Sequence, residues 1–520
     1  MTYRACALLR GLLAVLLCSA TAAYPQANPA KAGARVGAEI REEGFQRSQV
    51  LEIVSYMTDV LGARLTLSED MKRAQVWAKS KMEQIGLVNT VIEPYMDYGV
   101  TWDNEYVSLH MLAPDYQPMV GYPIAQTPGT DGKRVLSLAI ADIQSKSDMD
   151  QYKGKLKGLA VLESPPLEID LEALAQATLR RTAEELKQLE DGITLAPKRP
   201  SAWRAPRVPE SVSAEAKLAF FKAEGAAAVL ECKGGKLGAV RGANRPGSDK
   251  DHWSREGTLA SLPILAITPE HYNRMYRILK RNIPVKIEVE VRNRIGEQVE
   301  KAANVLGEIT GSDLKDEVVM IGAHFDTWQA SPNASDDTAG CAVVLEAARI
   351  LRAIAAQPRR TIRVALWSGE EQGLHGSREY VLKHFGNPKD KKAGAKPEHE
   401  KFSVYFNQDY GAGAFRGINL EGNEFARGIF AAWMEPLRDL GFTAISIQSV
   451  GSTDHVSFNE AGLPGFQFIQ DRIPGTAGHT NLDFLETLQA DDLMKNAVIM
   501  AVLAYDAATS AERMPRKTIR

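Results

Sequence analysis

The feature that most constrains the fold is an alternation of strand-like and helix-like segments from about residue 300 onward. The strand-like segments are short runs of apolar, β-branched and aromatic residues, and longer segments with helical periodicity separate them. The predicted strands cover residues 317–322, 361–367, 402–407 and 465–469, and the predicted helices cover residues 337–355 and 490–507. Such alternation builds a mostly parallel sheet flanked by helices, so the predicted fold class is α/β.

Histidine and carboxylate side chains follow each of these predicted strands. The set consists of His324 and Asp326 after the first strand, Asp336 at the start of the first helix, Glu370 and Glu371 after the second strand, Asp409 after the third, and His479 and Asp483 after the fourth. In an open α/β sheet, ligands bind beyond the carboxyl ends of the strands. We therefore expect these side chains to converge at one edge of one sheet.

Imidazole and carboxylate ligands without thiolate are typical of a catalytic zinc site that leaves positions open for water and substrate. Two imidazoles and three carboxylates suffice for two divalent ions if one carboxylate bridges them. Two ions ~3.5–4 Å apart can share a hydroxide nucleophile and stabilise the oxyanion of a cleaved amide. A general base must still accept the proton of the water, and either Glu370 or Glu371 can serve while the other binds metal.

Each of these residues also has an ordinary structural interpretation when it is taken singly. Asp336 could only cap a helix, because Asp is favoured at that position. Glu370 and Glu371 could be two solvated loop charges. The occurrence of all of them in order, at the ends of consecutive strands, favours the metal site.

Five stretches around these residues resemble the co-catalytic di-zinc aminopeptidase and glutamate carboxypeptidase family, metallopeptidase family 28. The stretches are residues 322–326, 335–340, 367–373, 407–409 and 479–483. The resemblance runs from about Gln49 to the C-terminal helix and is strongest from Asn304 to Asp483. It implies a zinc-exopeptidase fold and the hydrolysis of peptide bonds in dipeptides or at N-terminal residues.

The resemblance also implies a ligand set for two zinc ions (Zn²⁺) per chain. Asp336 would bridge the ions, because it stands four residues before Gly340, as the bridging aspartate of the family does. The other implied ligands are His324 and Asp409 in one subsite, and Glu371 and His479 in the second. The family has a cis peptide bond after its bridging aspartate, so we expect one here.

Further roles follow from the same resemblance. Glu370 would be the general base that activates a metal-bridging water. Asp326 would orient the imidazole of His324 without binding metal itself. Asp454 and His455 resemble a segment that borders the active site in relatives, where His455 would contact substrate or make a structural hydrogen bond. Asp483 is expected to support the loop that carries His479.

The sequence pattern changes between residues 116 and 293, where short β-like runs alternate with turns and a Pro-rich connector. Members of the family often carry a protease-associated domain inserted into the catalytic domain, and this region is interpreted as such a β-rich insertion. The predicted division is a signal peptide at 1–22, catalytic parts at 23–115 and 294–520, and the inserted domain at 116–293. A loop at 233–255 that is rich in Gly, Arg and Lys is interpreted as solvated, with recognition of a substrate carboxylate as the alternative.

The N-terminus has the three parts of a secretory signal peptide. Arg4 and Arg10 precede the apolar run 12–17, and an Ala-x-Ala sequence ends at Ala22. We therefore expect export to the periplasm or the medium. No later run is long and apolar enough for a membrane span, and the net charge of -3 does not favour nucleic acid.

The expected partners are a peptide or dipeptide substrate, with a homodimer as a possible assembly. Two alternative functions share this fold. One is a single-zinc aminoacyltransferase similar to glutaminyl cyclase, and the other is a catalytically inactive, receptor-like binding protein. Relatives of the inactive type lose metal ligands, whereas all five ligand positions and the base are filled here. A serine-hydrolase mechanism is not favoured, because no nucleophile-elbow motif lies between a predicted strand and helix.

Overall fold

The structure is a computed structural model that describes residues 29–169, 180–193, 212–234, 236–247, 253–388, 394–409, 412–471 and 478–517. The predicted signal peptide lies outside the described residues. Within these ranges, every helix is too short or too polar to cross a bilayer.

The strands form two eight-stranded sheets and one short two-stranded pair. They are β1 (Val88–Gly99), β2 (Trp102–Ala113), β3 (Gln117–Pro118), β4 (Gly121–Pro123), β5 (Arg134–Ile140), β6 (Ala160–Leu162), β7 (Ala228–Glu231), β8 (Ile264–Ile267), β9 (Lys286–Ile295), β10 (Glu300–Ile309), β11 (Leu314–His324), β12 (Arg360–Trp367), β13 (Gly386–Asn387), β14 (Gly394–Ala395), β15 (Phe402–Asn407), β16 (Phe415–Asn419), β17 (Ala444–Ser446) and β18 (Gly465–Gln470).

The central sheet has the strand order β1-β10-β12-β11-β15-β18-β16-β17. The four strands β12, β11, β15 and β18 in its middle run parallel. Antiparallel pairings join β10 to β1 and β12 on one side, and β16 to β18 on the other. The predicted α/β sheet is thus confirmed, and its four predicted strands are these four parallel strands.

Helices cover both faces of the central sheet, as a parallel sheet requires. The helices are Pro29–Gln46, Val50–Ser55, Glu69–Gln84, Lys146–Tyr152, Ala183–Glu190, Ala214–Ala223, Arg255–Ala260, Pro269–Leu279, Ala339–Ala353, His375–His384, Pro397–Lys401, Arg427–Met434, His455–Glu460 and Ala490–Thr509. On one face, Ala339–Ala353 and Ala490–Thr509 pack against each other over a core that includes Ile321. On the other face, Trp367, Tyr405 and Phe458 form a buried aromatic cluster.

The second sheet has the order β3-β2-β9-β5-β6-β7-β8-β4. Its strand β2 pairs with β9 over almost its whole length, so this unit begins before the predicted boundary at residue 116. Both β1 and β2 are 12 residues long and they are adjacent in the sequence, so only the distant partners of the two strands assign them to different sheets. We refer to residues 102–295 as the inserted unit; its identity as a protease-associated domain, and the division into domains, remain predictions.

Candidate metal centre

The central feature of the site is the side chain of Asp336, which lies between two histidines. Its Oδ1 atom is 3.2 Å from Nε2 of His324, and its Oδ2 atom is 2.9 Å from Nε2 of His479. The same nitrogen of His324 lies 3.6 Å from Oδ1 of Asp409, and that of His479 lies 3.0 Å from Oε2 of Glu371. The structure therefore brings the five predicted ligands together as two groups that share one carboxylate.

The positions of these residues follow from the sheet. His324 is the last residue of β11, and Asp409 comes two residues after β15 ends. Glu371 follows β12, in a turn before the helix that begins at His375. Because these strands are parallel neighbours, their carboxyl ends meet at one edge of the sheet, as the sequence predicts.

Asp336 lies in a distorted turn before the helix Ala339–Ala353. The peptide bond between Asp336 and Asp337 is cis, as the resemblance implies. Asp337 points its Oδ1 atom at the amide of Gly340, which donates a hydrogen bond over 3.2 Å. A Cβ atom on Gly340 would lie 2.3 Å from the Asp337 carboxylate, so this close approach requires glycine.

Asp337 is a potential ligand that the sequence analysis missed. Ligand atoms of His324, Asp337 and Asp409 lie within 4.8 Å of one another, as do those of His324, Asp336 and Glu371. Burial raises the pKa of Asp337 well above its usual range, which makes its ionised form unfavourable. In the sequence, no local pattern distinguishes Asp337 from a helix-capping residue.

The electrostatics of the site favour a bound cation. Burial alone would lower the pKa of His479, but Glu371 and Asp336 outweigh it and raise the pKa to about 10. The pKa of His324 is also raised, since Asp409 and other carboxylates outweigh the effect of its burial. Within the described residues, the buried Oε1 atom of Glu371 has no hydrogen-bond partner. The carboxylates, this oxygen among them, and the two imidazoles together form a donor set that suits divalent metal ions.

Glu370 is buried beside this donor set, and its backbone is held by Asp326. The amides of Glu370 and Glu371 donate hydrogen bonds to Oδ1 and Oδ2 of Asp326, over 3.1 and 3.3 Å. Nδ1 of His324 lies 2.9 Å from the backbone carbonyl oxygen of Asp326 and 3.9 Å from its carboxylate. The backbone of Asp326 thus makes the close contact with the imidazole, while its side chain fixes the turn that carries the two glutamates.

Asp483 connects the two segments that carry Asp336 and His479. Its Oδ1 and Oδ2 atoms accept hydrogen bonds from the amide and the hydroxyl of Ser335, each over 2.9 Å. Burial raises the pKa of Asp483 to about 6. These contacts join Asp483 to the segment of Asp336, and its support of the His479 loop stays a prediction.

Asp454 and His455 lie in the interior next to the site. Nε2 of His455 is 3.0 Å from the carbonyl oxygen of Val450 and 3.4 Å from Oε1 of Glu421. Since the side chain of His455 is fully buried, these contacts support the structural alternative, and substrate contact stays a prediction. Burial raises the pKa of Asp454 to about 7.

Two arginines reach the site from distant parts of the chain, and no sequence pattern indicates either of them. Arg64 is fully buried and donates to the carbonyl oxygen of Phe325 over 2.8 Å and to Oγ1 of Thr338 over 2.6 Å. Arg241 belongs to the inserted unit, and its guanidinium lies 3.1 Å from Nδ1 of His479. The interpretation of residues 233–255 as a solvated loop is wrong at Arg241, because residues 240–242 pair with the His479 loop beside the candidate metal centre.

Residues 304–504 match the family model described as Peptidase family M28. Over this range the chain is similar to peptidase family M28. Carboxypeptidase Q from Homo sapiens is 27% identical over 256 residues, which is 49% of this chain and 52% of the relative. Aminopeptidase YwaD from Bacillus subtilis is 29% identical over 227 residues, which is 42% of this chain and 47% of the relative. The chain therefore spans about half the length of the curated relatives it matches.

Solved structures match over more of the chain. The crystal structure of a Peptidase M28 precursor from Shewanella amazonensis has a TM-score of 0.66 and 23% identity, and the match covers 94% of this chain and 100% of that chain. A zinc aminopeptidase from Bacillus subtilis has a TM-score of 0.56 and 19% identity, and the match covers 89% of this chain and 95% of that chain. At these identities the likeness shows the fold, and it is the fold of M28 peptidase structures.

All five predicted ligands and Glu370 lie within the M28 range, whereas Arg64 and Arg241 lie outside it. The M28 part of the chain thus supplies the donor set. The parts before it supply contacts that hold the donor set in place.

Proposed function

We propose that this chain is a metallo-exopeptidase that uses two zinc ions to hydrolyse peptide bonds of dipeptides or at N-terminal residues. The observation that carries the proposal is that the two carboxylate oxygens of Asp336 each face one imidazole, 3.2 and 2.9 Å away. This is the arrangement expected of a carboxylate that bridges two metal ions. Relatives named carboxypeptidase Q and aminopeptidase YwaD support the same class of reaction.

His324 and Asp409 would hold one zinc ion, and Glu371 and His479 would hold the other, with Asp336 shared between them. Bound zinc supplies Lewis-acid polarisation of the peptide carbonyl and lowers the pKa of water. Asp336 is the better candidate for the shared ligand than Asp337, because its two carboxylate oxygens face the imidazoles of His324 and His479. Asp337 instead accepts the amide of Gly340 and so fixes the turn.

Glu370 would accept a proton from the attacking water and return it to the nitrogen of the leaving amine. Its backbone is fixed by Asp326, so the carboxylate starts from a defined position beside the ligands. Burial raises the pKa of Glu370 well above its usual range. A raised pKa suits a group that must both accept and release a proton near neutral pH.

The two alternatives from the sequence analysis predict different metal contents. A single-zinc aminoacyltransferase needs only one complete set of ligands, and an inactive binding protein needs none. The two groups around Asp336 favour the two-zinc peptidase, because each contains one imidazole and one further carboxylate. Metal content and hydrolysis measured on the same preparation distinguish the three functions.

A substrate panel tests the reaction and identifies the end of the peptide that is recognised. The panel consists of dipeptides, the same dipeptides with N-acetyl groups, and aminoacyl amides. We expect hydrolysis that a chelator abolishes and added zinc restores. Loss of activity on acetylation would indicate an aminopeptidase, whereas loss on amidation would indicate recognition of the free carboxylate. Absence of any zinc-dependent hydrolysis would contradict the proposal.

Export and assembly stay part of this proposal. We propose that the chain is exported and that its mature form begins after residue 22, because the N-terminus has the pattern of a signal peptide. N-terminal sequencing of protein recovered from the periplasm or medium tests this cleavage. The possible homodimer is tested by light scattering on the same material.

A further inference from the structure

The loop that carries His479 is held mainly by contacts to other segments of the chain. His479 has a positive φ of 60°, which residues other than glycine adopt uncommonly. Its imidazole lies edge-on to the ring of Trp328, with the ring centres 6.2 Å apart. On the side of the central sheet, the hydroxyl of Ser331 donates to the carbonyl oxygen of Thr480 over 2.7 Å.

On its other side the loop pairs with residues 238–242 of the inserted unit. The amide of Gly242 donates to the carbonyl oxygen of His479 over 2.8 Å, and the amide of Asn481 donates to that of Val240 over 3.0 Å. The two segments therefore form a short antiparallel bridge, with Arg241 opposite Thr480.

The side chain of Asn481 extends this bridge at both of its polar atoms. Its Oδ1 atom accepts a hydrogen bond from the amide of Val240 over 2.6 Å. Its Nδ2 atom donates to the carbonyl oxygen of Gly238 over 3.2 Å. Asn481 thus satisfies two backbone groups of the inserted unit, two residues away from a proposed metal ligand.

The bridge is also in close contact with the central sheet unit. A Cβ atom on Gly242 would lie 2.6 Å from Cβ of Trp328, so glycine lets the segment approach this ring. The same Trp328 contacts the imidazole of His479. Trp328 therefore packs between residues 238–242 and the imidazole of His479. A shift of residues 238–242 would move His479 as well.

These contacts concern only one of the two proposed metal subsites. His479 faces Glu371 and Asp336, whereas His324 and Asp409 are placed by strands β11 and β15 of the central sheet. We infer that residues 238–242 of the inserted unit position His479. Metal binding in the subsite of Glu371 and His479 therefore depends on the inserted unit. Metal binding in the subsite of His324 and Asp409 does not. The inference rests on the proposed function for the identity of the bound ions.

The test is the variant Asn481→Ala, which removes both side-chain hydrogen bonds and keeps the backbone of the loop. A matched control is Asn104→Ala, whose side chain hydrogen-bonds to Asn293 within the second sheet. Zinc binding to metal-free protein is followed by competition with a chelator. Removing a contact that orients a metal ligand typically weakens affinity by about 10–100-fold. We expect Asn481→Ala to lose zinc affinity by this factor in one of its two zinc-binding steps. Asn104→Ala should bind zinc with wild-type affinity in both steps.

A second variant tests the same segment from the inserted unit. Gly242→Ala forces the segment away from Trp328, and we expect the same selective weakening of one binding step. Gly428→Ala is its control, because a Cβ atom there meets no atom within 4 Å. Equal weakening of both steps, or binding by Asn481→Ala and Gly242→Ala that equals that of their controls, would overturn the inference.

Hydrogen exchange provides a readout that needs no metal. In metal-free protein, Asn481→Ala should speed exchange at the amide of Gly242, which is bonded to the carbonyl of His479. Wild-type protein that binds no pair of ions would contradict the proposed function and leave this exchange result intact. Wild-type protein that binds two ions, together with unchanged exchange and binding in Asn481→Ala, would contradict only the present inference.

Discussion

Replacing Glu370 with glutamine is the sharpest perturbation of the proposed reaction. Gln has almost the shape of Glu, so the amide contact of residue 370 with Asp326 should persist. Glu370 is not among the five proposed ligands, and the donor set around Asp336 is left complete. The variant therefore removes the proton acceptor without removing a metal ligand.

The expected magnitude follows from the role of the residue. A positioned general base contributes roughly 10²–10⁴-fold to the rate, which corresponds to about 2.7–5.4 kcal/mol of the activation barrier. We expect kcat to fall by this factor while KM changes little, because the carboxylate acts on the water and not on the bound peptide.

The assay combines steady-state kinetics with elemental analysis of the same preparation. Glu371→Gln is the matched comparison, since both glutamates lie in one turn and donate their amides to Asp326. It should lose zinc from the subsite of His479, because the Oε2 atom of Glu371 lies 3.0 Å from that imidazole. A Glu370→Gln variant that retains near wild-type kcat, or whose lost activity is explained by lost zinc, would refute the reasoning.

Three further predictions concern metal binding and stability. Asp336→Ala should lose at least one zinc ion per chain, because both groups share this carboxylate; unchanged zinc by elemental analysis would contradict bridging. Asp483→Ala removes the acceptor of two hydrogen bonds from Ser335 and should lower the free energy of unfolding by roughly 1–3 kcal/mol in a urea titration; an unchanged midpoint would contradict this. Burial raises the pKa of Asp506 to about 7, so the native state retains a proton that the unfolded chain releases from roughly pH 4 upward, and stability falls over that range. Asp506→Asn should therefore stabilise more at pH 8 than at pH 5, on the order of 1 kcal/mol, and an equal effect at both pH values would argue against this cause.

The central sheet was predictable because its signals are local. The parallel strands β12, β11, β15 and β18 are fully or largely buried, so each is rich in apolar, β-branched or aromatic residues in the sequence. His324 ends β11, and Glu371, Asp409 and His479 come after β12, β15 and β18 in the sequence. The parallel order of these strands brings the ligands to one edge. The pairing of β2 with β9 joins residues far apart in the sequence and leaves no local trace, so the sequence did not indicate that β2 belongs to the second sheet.

The contacts that hold the site were not predictable for a related reason. Arg64 and Phe325 are 261 residues apart, and Arg241 and His479 are 238 residues apart. In the sequence, Arg64 is a single basic residue before a helix, and Arg241 is one of several in a Gly-rich loop. Only the folded chain brings these guanidinium groups against the segments that carry His324 and His479.

The most direct test of the account is the zinc content of the purified mature protein, measured by elemental analysis together with dipeptide hydrolysis before and after chelation. The shared carboxylate of Asp336 predicts close to two zinc ions per chain, and loss of both zinc and hydrolysis on chelation. One zinc ion without hydrolysis would favour the aminoacyltransferase. A protein with no bound metal and no hydrolysis would contradict the metal centre itself.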